Sequence, residues 1–132
     1  ATIQVHWVTA KSEIFPTRGD YLAKAQLEGR TIAVNARDFH FGYDLRRRTG
    51  LPPGSQDLIT VMLHELGHNF GLRHAPAGVA SVMAETDPVN YPTDYDAKQL
   101  FRVLESSIHG SAPGAFNPES CSGLRASAAR AP

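Results

Sequence analysis

Three of the chain's six histidines fall within the eleven-residue run His64-Glu65-Leu66-Gly67-His68-Asn69-Phe70-Gly71-Leu72-Arg73-His74. Two of them stand four positions apart. On a helix, four residues rise roughly 6 Å and nearly complete a turn, so both imidazoles leave the same face. That pair suits one tetrahedral zinc ion, whose bonds to imidazole nitrogen are about 2.0–2.1 Å. A straight helix would carry His74 past such an ion. The chain must therefore break and turn back, and Gly71 is the residue type that permits it. Three neutral imidazoles leave the ion its full charge and an open position, where bound water would have a pKa of about 7. Glu65, one step round the helix, can act as general base on that water without being a ligand. The implied chemistry is metal-assisted hydrolysis. Histidines grouped by chance are the alternative, but chance does not supply a helix that breaks at a glycine.

The elements that must position these residues are legible around them. Residues 56–70 are expected to form the main helix, with Ser55 as N-cap and Gly71 closing the C-terminus. Ile59, Met62, Leu63, Leu66 and Phe70 recur at helical spacing within it. Upstream, residues 2–8 alternate like a half-buried strand with Ile3, Val5 and Trp7 on one face. Residues 22–27 and 30–35 read as two further short strands. Pro16 and Gly19 mark 11–20 as a loop, and Pro52, Pro53 and Gly54 mark 46–55 as another. Its basic run Arg46-Arg47-Arg48 reads as a solvated surface.

Residues 73–92 hold three prolines and no clear period. Thr93 to Asp96 then has the form of a capping box with Asp in place of Glu. A second helix is expected over 94–106, with Tyr95, Leu100, Val103 and Leu104 as its apolar face. Beyond it, 110–132 is rich in Ala, Ser, Gly and Pro and reads as a flexible tail, leaving 1–109 as the folded domain. His6, His40 and His109 read as surface or packing residues.

The 132 residues suffice for one domain with its own core, and 42% hydrophobic with 20% charged residues is an ordinary globular composition. Lys+Arg and Asp+Glu both number 13, and this balance gives no reason to propose nucleic acid or an anionic membrane as partner. No apolar run approaches the roughly 20 residues that span a bilayer. The single cysteine, Cys121, has no internal partner for a disulfide and reads as a free thiol.

The run from His64 to His74 resembles the signature of the metzincin clan of zinc metallopeptidases. Ser81-Val82-Met83 resembles its Met-turn, an apolar floor beneath the three imidazoles. Within the clan, the chain is most similar to the matrixins, the family of matrix metalloproteinase-like catalytic domains. The spacing from His74 to Met83 fits them, and Leu22-Ala23-Lys24-Ala25 resembles their edge strand, along which a substrate binds as an added strand. The resemblance runs from about residue 1 to about residue 104.

It implies an α+β zincin fold: a small twisted mixed sheet, an active-site helix and a C-terminal helix. It implies an endopeptidase with one catalytic Zn2+ held by His64, His68 and His74, zinc-bound water activated by Glu65, and Met83 in the Met-turn. Substrate contacts would come from Leu22, Ala23, Ala25, Val82 and Tyr91, with Val79 a further candidate. The partner would be a peptide or protein substrate, and the chain a monomer.

The departures from the family pattern also carry expectations. Lys24 stands where many matrixins have a histidine for a second, structural zinc, so that ion is not expected. Calcium is compatible with the family, but no site for it is indicated. Glu85 occupies a position where astacins and serralysins carry tyrosine. Secretion is implied by the resemblance alone, since the chain opens on a strand pattern and not on a signal peptide. The family's first strand and first helix have no counterpart, so a catalytically silent or truncated zinc-binding domain is the alternative reading.

Overall fold

The structure is a computed structural model, and it describes residues 2–26, 30–44, 50–108 and 123–127. Its elements in chain order are β1 (Gln4–Trp7), β2 (Tyr21–Gln26), β3 (Thr31–Val34), β4 (Phe41–Gly42), β5 (Gln56–Asp57), α1 (Leu58–Asn69), α2 (Asp94–Ile108) and β6 (Gly123–Arg125). Four of the strands form one mixed sheet in the order β1-β3-β2-β6. β1 runs parallel to β3, while β2 runs antiparallel to both β3 and β6. α1 packs on β2 and β6. The expected α+β architecture of a small mixed sheet with two helices is what the chain adopts.

Two small apolar clusters hold it together. Leu22, Ala23, Phe39, Val61 and Leu124 join the sheet to α1. Leu72, Val82 and Met83, with Leu100 and Val103 of α2 against them, fill the space beyond the end of α1. Burying a side chain such as Leu124 or Val61 contributes about 1.5–3 kcal/mol, so the domain rests on few residues, each of consequence.

Several elements differ from the sequence expectations. The first strand is not half-buried: all four residues of β1 are exposed, Trp7 by 52%. β1 lies at the sheet edge, and Trp7 meets Phe41 edge-to-face at 5.9 Å. The main helix starts at Leu58, and its N-cap is Asp57 instead of Ser55. Asp57 accepts from the Ile59 N–H (3.0 Å) and the Thr60 hydroxyl (2.7 Å). The Gln56 N–H goes to the His40 carbonyl (2.8 Å), drawing 56–57 into a strand beside Phe41–Gly42.

α2 runs two residues past its expected end. Leu100 and Val103 face the core as expected, whereas Leu104 is 52% exposed because it lies about 100° round the helix from Val103. Within the segment expected as a tail, Gly123–Arg125 forms the fourth strand of the sheet, so β2 is not an edge. Arg46, Arg47, Arg48, Leu27, His109 and Cys121 lie outside the described residues.

Candidate metal centre

The three histidines converge because α1 ends where the sequence says it should. The Phe70 N–H bonds back to Leu66 and Gly67 (3.0 and 3.1 Å), and Gly71 then takes φ +96°. No L side chain adopts that backbone conformation without strain. The Gly71 and Leu72 N–H groups reach the His68 and Gly67 carbonyls, both at 2.9 Å, which closes the helix and returns the chain toward its own face. His74 arrives three residues later.

His64 and His68 are fully buried. The Nδ1 of His64 bonds the Val82 carbonyl at 2.8 Å, and that of His68 bonds the Leu72 carbonyl at 2.9 Å. A carbonyl only accepts, so each Nδ1 carries the proton and each Nε2 presents a lone pair. The Nε2 atoms of His64, His68 and His74 form a nearly equilateral triangle with sides of 3.1, 3.2 and 3.2 Å. Two nitrogens of a tetrahedral zinc site are expected roughly 3.3 Å apart, given Zn–N bonds of about 2.0–2.1 Å. Converging lone pairs repel unless a cation lies among them, so the donor set and its spacing both fit zinc.

Their charge state fits as well. Burial, with the neighbouring His68 adding to it, holds His64 down to about 3. Burial likewise brings His68 to about 4. His74 also lies below its ordinary value through burial, with the Glu85 charge and the Gly123 backbone opposing. All three are neutral at physiological pH, as metal ligation requires.

The segment expected as the Met-turn, residues 81–83, packs against the same helix. Met83 is fully buried, and a Cβ at position 67 of α1 would collide with its sulfur, so Gly67 is what lets helix and methionine approach. The turn is held by Asp96 in the first turn of α2. Its carboxylate accepts from the Ser81 hydroxyl, the Val82 N–H (3.1 Å) and the Thr93 N–H (2.8 Å). Ser81 Oγ in turn accepts from the Met83 N–H at 2.8 Å. Burial alone would raise the Asp96 pKa, but these hydrogen bonds together keep it below its ordinary value. The expected capping box is thus present and does a second job. Val82 is clamped at its N–H by Asp96 and holds His64 by its carbonyl.

Glu65 is fully buried in the sheet-facing wall of α1. Its Oε1 accepts from the Leu124 N–H at 2.9 Å, and Oε2 has no hydrogen-bond partner among the described residues. Burial raises its pKa to about 8, with the backbone N–H groups of Leu124 and Ala25 acting the other way.

A cavity of about 400 Å³ lies on the far side of Leu124, walled by that residue with Leu22, Val61, Pro88, Val89 and Tyr91. Of the residues expected to contact substrate, Leu22 and Tyr91 line this cavity. Ala23 faces Leu124 across the β2–β6 pair, and Ala25 pairs with Ile32 on β3. Val82 does not line the cavity, since its side chain packs with Leu72 and Met83 and its contribution comes from its backbone. Val79 does not line it either.

Sequence reasoning missed Gly123 and Leu124, and also the second role of Asp96. A lone leucine after glycine in a low-complexity stretch was the only available signal for the first two. Lys24 lies 4.4 Å from the centre of the Tyr21 ring and 5.9 Å from that of Phe15.

A mixed sheet with a helix bearing two imidazoles, a glycine turn returning a third, and a methionine packed against that helix defines a three-histidine metal-binding domain of α+β type. The matrixin family model matches residues 1–100, and the chain belongs to the matrixins, a family of zinc metallopeptidases. A comparison with curated proteins finds no significant match.

Proposed function

We propose that this chain is a zinc-dependent endopeptidase in which Glu65 is the general base. One observation carries the reading: the buried Glu65 carboxylate, beside the histidine triangle, reaches a backbone amide nitrogen at 2.9 Å. Zinc held by His64, His68 and His74 would polarise the scissile carbonyl and acidify the attacking water. Glu65 would accept the proton of that water; its burial strengthens it as a base by raising its pKa, and the charge of a bound ion nearby would keep it ionised beforehand. The carboxyl then delivers the proton to the departing amide nitrogen. Leu22 and Tyr91 shape the side-chain pocket, and β2 would offer an extended peptide the side of its backbone that β6 occupies. The chain works on peptides or proteins as a monomer, outside the cell.

The test is proteolysis of a generic unfolded protein by the purified chain beside Glu65→Ala, each with and without a zinc chelator, with zinc content measured in parallel. The variant should retain zinc and lose turnover by at least a hundredfold. Comparable cleavage by Glu65→Ala would remove Glu65 from its role. A zinc-loaded wild-type chain without activity would favour a silent zinc-binding domain, the reading supported by the filling of the cleft by β6.

A further inference from the structure

β6 pairs with β2 on the side where the peptidase reading would place an extended substrate. Gly123–Arg125 runs antiparallel to β2, with Lys24 opposite Gly123 and Ala23 opposite Leu124. Leu124 is 1% exposed, lines the cavity beside α1, and packs on Leu22 and Val61. Its N–H points at Glu65 Oε1. The backbone of the preceding Gly123 lies close enough to the His74 ring to raise its pKa. One peptide bond thus has its nitrogen at the base and its carbonyl near one of the three histidines.

The flanking contacts fix the strand from both sides. The Arg125 N–H bonds the Glu85 carbonyl (3.0 Å), just past the Met-turn, and the Ala126 N–H bonds the Asp20 carbonyl (2.9 Å). The Arg125 guanidinium reaches Glu85 Oε1 at 3.0 Å and lies 4.9 Å from the Tyr21 ring centre. Position 123 admits only glycine in this placement, because a Cβ there would collide with the Ala23 carbonyl and press on Lys24.

We infer that Gly123–Leu124 is a bond the chain cuts in itself, so that the domain clears its own cleft by releasing the segment that begins at Leu124. This rests on the peptidase reading above and names that site's first substrate. In the step, the oxygen of water bonds to the Gly123 carbonyl carbon while one of its protons passes to Glu65. The bond from that carbon to the Leu124 nitrogen breaks, its electron pair stays on nitrogen, and Glu65 returns the proton there. For the 132-residue chain the products are a chain ending in the Gly123 carboxylate and the nine-residue peptide that begins at Leu124, whose new amino group takes up the second proton of the water. No electrons are transferred.

The experiment is intact-mass spectrometry of the zinc-loaded full chain over time, at several protein concentrations, with an unrelated fluorogenic peptide hydrolysed in parallel. The expected result is release of the nine-residue peptide at a rate independent of protein concentration, absent in chelator and in Glu65→Ala. Hydrolysis of the added peptide should rise severalfold as the release proceeds. Gly123→Val should block release. In the metal-free state it should also speed amide hydrogen exchange in β2 by at least tenfold, a readout independent of turnover.

A chain that hydrolyses the added peptide but keeps its own 123–124 bond overturns this inference and leaves the peptidase reading standing. Release that accelerates with protein concentration overturns the intramolecular step. Unchanged β2 exchange in Gly123→Val overturns the docking on which the step depends. A zinc-loaded chain that cuts neither substrate removes both readings together.

Discussion

Asp96→Ala is the substitution whose effect can be followed furthest through this structure. The carboxylate is buried and accepts from the Ser81 hydroxyl, the Val82 N–H and the Thr93 N–H. Thr93 is partly open to solvent, so its N–H can turn to water. Val82 and Ser81 are buried and have no such recourse. Stranding two buried donors costs about 1–3 kcal/mol each, so the expected loss is about 4 kcal/mol. Against a total stability of roughly 5–15 kcal/mol that is severe.

The same loss reaches the metal centre, because the Val82 carbonyl orients His64. Removing a partner that orients a ligand typically lowers metal affinity about 10–100-fold. Stability would be read from urea midpoints in chelator, and zinc affinity by competition with a chromophoric chelator. Asp96→Asn, which keeps an acceptor for the backbone donors, should lose about half as much stability. Two results refute the reasoning: an Asp96→Ala midpoint within about 1 kcal/mol of wild type, or a full stability loss with zinc affinity unchanged.

Three further perturbations test neighbouring parts of the centre. Gly67→Ala adds a methyl against the Met83 sulfur, and overpacking of about 1–3 kcal/mol should outweigh the helix-propensity gain of about 1 kcal/mol. The net destabilisation should vanish in a Met83→Ala background, and its persistence there would place the strain elsewhere. Gly71→Ala forces an L side chain to φ +96°, so about 1–2 kcal/mol of stability and at least tenfold in zinc affinity should be lost; normal zinc binding would show that His74 does not depend on that turn. In the metal-free chain, His64 and His68 have folded pKa values of about 3 and 4, below the usual 6.5. Their contribution is full above about pH 6.5 and is lost as pH falls toward those values, so stability that stays flat from pH 7 to pH 4 would contradict the burial of the imidazoles.

The centre was legible because its information is local. The two helical histidines, the glycine break and the third histidine lie within eleven residues, and spacing alone implies their convergence. The capping box of α2 was legible for the same reason. What escaped is set by contacts distant in sequence. Asp57 displaced Ser55 as N-cap because the His40 carbonyl pulls Gln56 into a strand, a contact no window around the helix contains. The burial of β1 was misjudged because alternation reports which residues share a face, not whether another layer covers it. β6 was hidden by composition. Its residues have little intrinsic preference for a strand, and the pairing is supplied by β2 and the cavity, over a hundred positions back.

That last separation sets an order of assembly. Every metal ligand lies within eleven residues of α1 and its turn, whereas Ala23 must find Leu124, 101 positions later. Closing the longer loop costs roughly 2 kcal/mol more entropy than closing a ten-residue one, and it gains its reward only once both walls exist. Synthesis runs in the same direction, since the C-terminal residues leave the ribosome last. The nascent chain therefore presents a complete histidine cluster to metal before residue 124 has been made. β6 is therefore fitted last, and any metal the three histidines take up would precede its pairing with β2.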